Sequence, residues 1–215
     1  MKYSEFIKRL FTSILLIFTI YLVINNVYMF FIFLFFCFSV MFYEFYLIYL
    51  KIFKRNLLNL FISASITCIF LTFVISYIFL FNLDKSNFLY LVGLFLICIL
   101  TDIGGYIFGK TFKGKKLTSI SPNKTYSGVF GSFLLPATFI FFFYENFSDF
   151  SFSIIFVLAI SLISQIGDLS ISLLKRKAKI KHTGFILPGH GGLLDRVDGM
   201  IFAIPFGIFI INTLY

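Results

Sequence analysis

Seven long apolar runs constrain the fold of this 215-residue chain more than any other feature. A helix needs about 20 apolar residues, within a range of roughly 17–25, to cross the hydrocarbon core of a bilayer. Because 60% of the residues are hydrophobic, a water-soluble domain of this size could not bury so much apolar surface. We therefore predict an all-α, polytopic membrane bundle of about seven transmembrane helices. The runs cover approximately residues 10–24, 27–50, 57–81, 88–108, 128–144, 151–174 and 197–215.

The basic residues between these runs predict the orientation of the chain. With the N-terminus in the cytoplasm, all but one of the 18 Lys and Arg residues fall on the cytoplasmic side, and Lys85 alone falls outside. Cytoplasmic loops are enriched in positive residues. No small-residue cleavage site follows the first run, so we expect no cleaved signal peptide. The sequence thus predicts an integral protein of a bacterial-type plasma (inner) membrane.

Two cytoplasmic loops, 110–127 and 175–197, carry most of these cations among Gly, Ser, Thr and Pro residues. The positive-inside bias and anionic lipids both favour a basic inner face, but the charge in these loops exceeds that bias. We treat residues 1–215 as a single membrane domain. N-terminal helices occupy about 1–97, and a catalytic core with both loops and a cytoplasmic active site occupies about 98–200.

Three carboxylates lie within the apolar runs: Glu44, Asp102 and Asp168. Each precedes the first lysine of a cytoplasmic loop by seven or eight residues, which places it roughly 10–12 Å below the inner interface. Ionisable groups are costly in a bilayer and usually face a functional cavity, whereas the alternative is interhelical hydrogen bonding. For Glu44 we weigh a role in a functional site and a role in interhelical hydrogen bonding equally. For Asp102 and Asp168 we favour the role in a functional site. The common depth predicts one polar cavity open to the cytoplasm.

Polar residues on both sides of Asp168 recur with the spacing of one helix face. This face predicts a wet cleft that runs from the middle of the membrane to the cytosol. On the helix of Asp102, Gly105 and Gly109 permit close helix packing, which we favour over close approach of a ligand. The residues of the polar face are Ser161, Gln165, Asp168, Ser172, Lys175 and Lys179.

Two loop segments have the composition of phosphate-binding loops. In residues 118–128, hydroxyl groups and a glycine flank Lys124, although a solvated basic loop has the same composition. In residues 187–199, Gly189, Gly191 and Gly192 let the backbone turn sharply and approach a ligand. His190 stands among these glycines, where it can donate a hydrogen bond to phosphate.

Asp195 and Asp198 are three residues apart, so we expect them to share a face on the opening turn of the last helix. They either interact with the helix dipole or, with substrate phosphates, bind Mg²⁺. Arg196 can pair with either carboxylate or with phosphate. The sequence lacks Walker A, dinucleotide-binding, zinc and serine-triad patterns. Carboxylates, cations and glycines together favour phosphoryl or nucleotidyl transfer.

These motifs resemble those of the phosphatidate cytidylyltransferase (CDP-diglyceride synthase) family over roughly residues 98–200. The C-terminal signature of that family is Ser, two residues, Lys-Arg, a lysine five further on, Pro-x-His-Gly-Gly and Asp-Arg-x-Asp. It is matched here by Ser172, Lys175, Arg176, Lys181, Pro188, His190, Gly191, Gly192, Asp195, Arg196 and Asp198. Three upstream elements of the family resemble Gly167-Asp168-Leu169, Ser121-Pro122-x-Lys124-Thr125, and Asp102 ahead of Tyr106 and Gly109.

The chain departs from the family pattern at two positions. His182 follows the motif lysine where the family usually has Asp, and Ser127 occupies a position where the family usually has Glu. A neutral or cationic side chain thus stands at two positions that are acidic in relatives.

The resemblance implies the reaction CTP + phosphatidate → CDP-diacylglycerol + pyrophosphate, in phospholipid biosynthesis, with Mg²⁺ as the cofactor. It implies a catalytic set of Asp168, Lys175, Arg176, Lys181, His190, Asp195, Arg196 and Asp198. The expected CTP- and phosphate-binding set is Ser121, Lys124, Thr125, Ser172, Gly189, Gly191 and Gly192. The expected metal ligands are Asp102, Asp168, Asp195 and Asp198.

Two other functional classes stay open at this point. One is a related CTP-dependent enzyme that acts on another lipid phosphate or an isoprenoid alcohol, and the other is a non-enzymatic membrane transporter. We expect membrane lipids, CTP and phosphatidate as partners and no nucleic acid. The sequence leaves open whether the chain forms a homodimer and whether a second cation binds.

Overall fold

The computed structural model describes residues 26–54, 56–84, 87–118, 121, 124–138, 150–184 and 191–214. The predicted run 10–24 and the part of the run 128–144 beyond residue 138 lie outside these ranges. The elements within them are α1 Val27–Phe53, α2 Leu57–Leu83, α3 Phe88–Phe112, α4 Tyr126–Thr138, α5 Phe150–Lys177, α6 Leu194–Val197 and α7 Met200–Leu214. The predicted all-α fold is confirmed.

Four helices in these ranges are long and apolar enough to cross a membrane: Val27–Phe53, Leu57–Leu83, Phe88–Phe112 and Phe152–Lys177. The shorter segment Met200–Thr213 is also apolar. Large apolar side chains such as Phe61 on α2 are exposed, as lipid-facing residues are. The chain is therefore an integral membrane protein, whereas the number of seven spans and the orientation stay predictions.

Asparagine side chains begin α1 and α2. The Asn26 side-chain oxygen accepts a 2.9 Å hydrogen bond from the backbone N–H of Tyr28, and Asn56 accepts one of 3.1 Å from Asn59. These oxygens satisfy N–H groups that have no partner within the helix. At the end of α1, Lys54 has a φ of 39°, in the left-handed region that stops a helix.

The chain divides into two compact units. The first unit comprises Met1–Leu83 and Leu174–Val197, and the second comprises Asp84–Leu173 and Asp198–Tyr215. The basic segment 175–197, which we predicted to belong to a core of residues 98–200, thus groups with α1 and α2.

Within the first unit, α1 packs against α2, and a partly buried hydrogen bond joins the two helices. The Thr67 hydroxyl donates to the backbone carbonyl of Ser63 at 2.9 Å. Its oxygen lies 2.7 Å from the Tyr49 hydroxyl, which therefore donates. This hydrogen bond joins α1 to α2.

Within the second unit, α3 and α4 cross at glycines. A Cβ atom at Gly104 would lie 2.2 Å from the carbonyl oxygen of Gly131, and one at Gly128 would lie 2.8 Å from that of Gly105. Only glycines permit so close an approach of two backbones. Gly109 lies against Gly128 as well. The packing role is confirmed for Gly109, where a Cβ atom would lie 3.1 Å from Oγ1 of Thr125. Gly105 lies at the crossing through its backbone carbonyl, but a Cβ atom there would meet its nearest neighbour at an ordinary 3.6 Å. Gly104 is the tightest contact of the crossing, and sequence reasoning missed it.

Candidate functional site

Glu44 on α1 anchors a hydrogen-bonded cluster in the first unit. Its side chain is completely buried, with 0% exposure. Oε1 accepts a 2.9 Å hydrogen bond from the backbone N–H of Leu193, and Oε2 accepts 2.8 Å and 2.9 Å bonds from the Leu194 N–H and the Thr183 hydroxyl. A buried carboxylate requires such donors. Of the two roles weighed for Glu44, hydrogen bonding is confirmed, but its partners lie beyond α5 and not on another long helix.

Asp195, the first acidic residue of α6, lies in the same cluster. Its Oδ1 accepts a 2.8 Å hydrogen bond from Nζ of Lys175, and Oδ2 accepts one of 2.9 Å from the Thr183 N–H. The Gly192 N–H lies 3.4 Å from the same oxygen. Burial alone would raise the pKa of the Asp195 carboxyl, but hydrogen bonds from Lys175, Thr183 and Gly192 and the lysine charge outweigh burial and hold the pKa below its ordinary value. Asp195 is thus a carboxylate compensated by a lysine.

Thr183 connects the two carboxylates, because its hydroxyl donates to Glu44 while its backbone N–H donates to Asp195. Gly192 packs against this junction: a Cβ atom there would lie 2.0 Å from Oγ1 of Thr183. Gly191 has a φ of 88°, which disfavours any other residue. Packing and backbone conformation therefore explain both glycines, and their predicted contact with a ligand stays a prediction.

His182, which replaces the usual acidic residue of the family, also approaches this cluster. Its Nδ1 atom lies 3.7 Å from Oδ2 of Asp195, while 54% of the side chain is exposed. The contact is longer than a hydrogen bond. His182 therefore adds a second basic group beside Asp195, in addition to Lys175.

Two predictions about helix geometry are wrong. Asp195 lies in α6 but Asp198 lies in the turn before α7, so the two aspartates do not share the opening turn of one helix. The polar face of α5 does not extend to Lys179, because α5 ends at Lys177 and Lys179 has a φ of 55°. In both places a backbone turn interrupts the helical spacing that the sequence pattern assumed.

In the second unit, Asp168 is neutralised by a lysine from another segment. The Lys124 ammonium forms an ion pair with Oδ2 of Asp168, and about a quarter of each side chain is exposed. The Ser172 hydroxyl donates a 3.2 Å hydrogen bond to Oδ1 from one turn further along α5. The structure therefore brings together three predicted site residues, one a carboxylate and two predicted to bind phosphate.

The loop between α3 and α4 positions Lys124. Leu117 and Lys124 are joined by a 2.8 Å backbone hydrogen bond, beside an antiparallel bridge between Lys116 and Thr125. Thr125 then caps α4, because its hydroxyl oxygen accepts a 3.1 Å bond from the Gly128 N–H. Thr125 thus has a structural role, whereas its predicted contact with phosphate stays a prediction.

Ser127, the second departure from the family pattern, has local partners. Its hydroxyl donates to the backbone carbonyl of Lys113 and lies 3.0 Å from Oγ1 of Thr125. Lys113 has a φ of 52°, in the left-handed region that ends α3. Ser127 therefore fixes the turn between α3 and α4.

Asp102 lies on α3, where it interacts electrostatically with both Asp168 and Lys124. Its side chain is exposed in the isolated chain. Beside Asp102 on α3, the Thr101 hydroxyl donates a 3.0 Å hydrogen bond to Ser161 on the polar face of α5. On the same face of α5, Nε2 of Gln165 is buried without a hydrogen-bond partner among the described residues. Asp102 and Asp168 thus share a cationic neighbour, as two carboxylates of one site would.

Glycines also bring the segment of Asp198 against α5. A Cβ atom at Gly167 would lie 3.0 Å from the carbonyl oxygen of Asp198, and one at Gly199 would lie 2.4 Å from Oγ of Ser164. Asp198 itself is buried and accepts a 3.0 Å hydrogen bond from the Gly199 N–H. Gly167, which precedes Asp168 on α5, therefore packs against Asp198 and Gly199 in the turn before α7.

The remaining predicted residues differ in exposure. Arg176, Lys181 and Arg196 are exposed, and Ser121 is half-buried in the loop of Lys124. Ser121 accepts a 3.0 Å backbone hydrogen bond from Lys124. Gly189 and His190 lie outside the described residues, as do Pro122 and Pro188, so nothing here bears on them. Glu44 belongs to one unit and Asp102 and Asp168 to the other, and the single cavity expected for all three stays a prediction.

The carboxylates Asp102 and Asp168 are the pair to test against the requirements of the expected Mg²⁺ ion. No three His, Cys, Asp or Glu side chains of the described ranges form a group that could hold a metal ion. Mg²⁺ usually binds through one or two carboxylates and completes its shell with water and phosphate oxygens. Asp102 and Asp168 would supply such a pair, with Lys124 as the neighbouring cation.

Sequence reasoning missed the role of two residues. Thr183 is buried at a junction that only tertiary contacts create, and the polar segment around it gave no specific signal. Glu44 was singled out, but its sequence neighbours gave no hint of the distant loop that it binds. A buried acid with no local partner is itself a signal that a remote segment supplies the donors.

Fold and site together define a class: a polytopic α-helical membrane protein whose carboxylates are paired with lysines. Comparison with known proteins identifies the family. Residues 1–214 match the group described as "Cytidylyltransferase family", and the chain belongs to this family.

Curated proteins similar to this chain carry the name phosphatidate cytidylyltransferase. The one from Staphylococcus aureus (strain COL) is 39% identical over 140 residues, which is 61% of this chain and 52% of that protein. The one from Staphylococcus epidermidis (strain ATCC 12228) is 38% identical over 149 residues, 65% of this chain and 55% of that protein. The one from Staphylococcus saprophyticus is 34% identical over 168 residues, 75% and 64% respectively. The chain thus spans about half the length of the curated relatives it matches.

Proposed function

We propose that this protein is a membrane nucleotidyltransferase that makes CDP-diacylglycerol and pyrophosphate from CTP and phosphatidate, as a step of phospholipid biosynthesis. The observation that supports this proposal most strongly is the 39% identity over 140 residues to a protein named phosphatidate cytidylyltransferase. The apolar helices suit a substrate whose acyl chains stay in the bilayer. We place the active site on the cytoplasmic side of a bacterial inner membrane, where CTP is available.

The reaction needs positioning and charge neutralisation more than it needs a strong base. An oxygen of the phosphatidate phosphate attacks the α-phosphorus of CTP, and the bond from that phosphorus to the bridging oxygen of the β-phosphate breaks. Pyrophosphate leaves with the electron pair. A phosphate monoester has its second pKa at about 6, so its attacking oxygen is mostly deprotonated at neutral pH. Electrostatic stabilisation of the transferred phosphoryl group then supplies most of the catalysis.

Lys124 and Lys175 supply the ammonium groups for this task. Each is held by one aspartate, Asp168 and Asp195 respectively, with its charge in a fixed position. Phosphate oxygens can replace or share these carboxylates as partners of the lysines, because both kinds of oxygen accept charge-assisted hydrogen bonds. The exposed side chains Arg176 and Lys181 add positive charge for the incoming triphosphate.

Asp102 and Asp168 are the residues that would hold Mg²⁺, since they interact with each other in one unit. The metal would neutralise charge on the phosphate oxygens and on the leaving pyrophosphate. The backbone carbonyl of Asp198 lies against Gly167, the residue before Asp168, and the Asp198 carboxylate is a further candidate ligand in that unit. A metal-binding role for Asp195 stays a prediction.

A panel of lipid acceptors tests this function against its rivals. Purified protein in proteoliposomes would be given CTP, Mg²⁺ and one acceptor at a time: phosphatidate, another lipid phosphate, or an isoprenoid alcohol. We expect Mg²⁺-dependent pyrophosphate release with phosphatidate. Transfer of the γ-phosphoryl group to an isoprenoid alcohol, with release of CDP instead of pyrophosphate, would identify a different CTP-dependent enzyme. Absence of both pyrophosphate and CDP release with every acceptor would favour a non-enzymatic membrane protein.

A further inference from the structure

Glu44 is a fully buried carboxylate that the proposed reaction does not use. It lies on α1, far along the chain from the residues predicted to bind substrate. Its three hydrogen bonds, of 2.8–2.9 Å, nonetheless all come from Thr183, Leu193 and Leu194, which are close in the chain to the predicted substrate-binding residues. A buried ionisable side chain with partners in one remote segment indicates a specific structural task there.

That task is to hold backbone N–H groups at the start of a very short helix. The first N–H groups of any helix have no partner within the helix. Here the helix spans only Leu194–Val197, and three consecutive N–H groups point at carboxylates. The Gly192 N–H faces Asp195, whereas the Leu193 and Leu194 N–H groups face Glu44. Glu44 therefore fixes the backbone immediately before Asp195.

The segment is also shaped around the Glu44 side chain. A Cβ atom at Gly184 would lie 2.7 Å from Oε1 of Glu44, and one at Gly192 would lie 2.7 Å from each of its oxygens. Real Cβ atoms essentially never show contacts this close, so a side chain at either position would displace the Glu44 carboxylate from its hydrogen bonds. Thr183 completes the enclosure, since its hydroxyl donates to Glu44 while its N–H donates to Asp195. One residue thus links the buried carboxylate to the site carboxylate.

We propose that Glu44 is a positioning residue, which holds Thr183 and residues 192–194 so that Asp195 and Lys175 keep the orientation that nucleotidyl transfer requires. The kinetic consequences of this inference rest on the proposed function. The hydrogen bonds from Thr183, Leu193 and Leu194 to Glu44 are a property of the folded chain and do not depend on that function. Glu44 acts through Thr183, Leu193 and Leu194 and contacts no substrate.

The chemistry of the contact predicts which substitutions matter. Gln at position 44 keeps one acceptor oxygen and turns an NH₂ group toward at least one of the three donors, so a backbone N–H loses its partner. Thr183→Val keeps the volume of residue 183 but removes the hydroxyl donor, whereas Thr183→Ser retains it. Tyr49→Phe is the matched control, because it removes a 2.7 Å interhelical hydrogen bond from the same helix and none of the three hydrogen bonds that Glu44 accepts.

Two measurements on the full-length protein test the inference. The first is amide hydrogen–deuterium exchange in detergent without substrate. We expect Glu44→Gln and Thr183→Val to accelerate exchange in peptides that cover residues 191–197 by about tenfold or more, and Tyr49→Phe to leave those peptides unchanged. Unchanged exchange in both Glu44→Gln and Thr183→Val would overturn the inference whether or not the protein is an enzyme.

The second measurement is kcat and KM for CTP with phosphatidate in proteoliposomes. Because misplacement of reacting groups by about 1 Å can cost 100-fold in rate, we expect Glu44→Gln and Thr183→Val to lower kcat/KM by about 10- to 100-fold. Thr183→Ser should restore most of the activity, and Tyr49→Phe should retain it even if its melting temperature falls. Losses that follow melting temperature across all four variants would overturn the positioning role. Absence of turnover in the unaltered protein would instead refute the proposed function. The exchange experiment would still test whether Glu44 fixes the backbone before Asp195.

Discussion

The ammonium group of Lys175 donates a 2.8 Å hydrogen bond to Oδ1 of Asp195, with only 12% and 10% of the two side chains exposed. The pair connects the end of α5 to α6, twenty residues further along the chain. Oδ2 of the same aspartate accepts from the Thr183 N–H, so one carboxylate holds both a cation and a backbone segment.

Removal of the lysine charge from this pair should be costly. In Lys175→Gln, Asp195 keeps its backbone donors but loses its ammonium partner in a largely buried position. Breaking one partner of a buried ion pair typically costs about 3 kcal/mol. We expect a clear loss of thermal stability, measured by circular dichroism in detergent, and loss of CTP-dependent turnover. Lys177→Gln is the matched control, since Lys177 is an exposed cation on the same helix end. Equal effects of the two variants would contradict the account.

Asp168 and Lys124 should act as one unit in catalysis. We expect Asp168→Asn and Lys124→Gln each to lower kcat by at least tenfold, because each leaves the other charge of the ion pair without its partner. The double variant should then lose much less than the sum of the two single losses in free energy. Kinetic measurement of the full double-mutant cycle checks this, and strictly additive losses would show that the two residues act independently.

The glycine crossing of α3 and α4 should tolerate one methyl group and reject another. A Cβ atom at Gly104 would lie 2.2 Å from a backbone oxygen of Gly131, whereas at Gly105 its nearest neighbour would be Cβ of Ser132 at 3.6 Å. We expect Gly104→Ala to destabilise the fold by about 1–3 kcal/mol through overpacking. Gly105→Ala should be neutral or slightly stabilising, since alanine favours helix. Melting temperatures of both variants test the difference, and a similar loss in both would contradict the packing.

The lowered pKa of Asp195 predicts how its contribution depends on pH. A carboxyl group whose pKa is lower in the folded than in the unfolded state stabilises the fold above the unfolded value, which is about 3.8 for aspartate. This contribution is lost as the pH falls through the lower, folded value. The stability difference between the unaltered protein and Asp195→Asn should therefore stay constant between pH 7 and pH 5, and shrink only below the ordinary pKa. Chemical denaturation followed by circular dichroism at each pH would check this; a difference that vanishes near pH 6 would contradict it.

The sequence predicted the elements well where hydropathy dictates them. The runs at 27–50, 57–81, 88–108 and 151–174 correspond to α1, α2, α3 and α5, because an apolar stretch of that length satisfies its backbone only as a helix in lipid. The predicted phosphate-binding residues Lys124 and Ser172 do lie against Asp168. The spacing of charged and small residues was thus enough to predict that Lys124, Asp168 and Ser172 belong together.

The contacts of Glu44 could not be predicted in this way. Its donors lie 139–150 residues further along the chain, and two of the three are backbone N–H groups, which carry no sequence signature. The turn at Asp198 was missed for a related reason: spacing rules assume a continuous helix, and the break before α7 depends on the packing of Gly199 against Ser164. Tertiary contacts, not local propensity, decide both features.

The most direct test of the central claim is to follow the two ends of CTP in one reaction. Purified protein would be incubated with phosphatidate liposomes, Mg²⁺, and CTP labelled either at the α- or at the γ-phosphorus. The account predicts that α-label enters the lipid fraction while γ-label is released as pyrophosphate, with both signals lost in Asp168→Asn. Retention of both labels in CTP, or release of γ-label as inorganic phosphate without any labelled lipid, would contradict it.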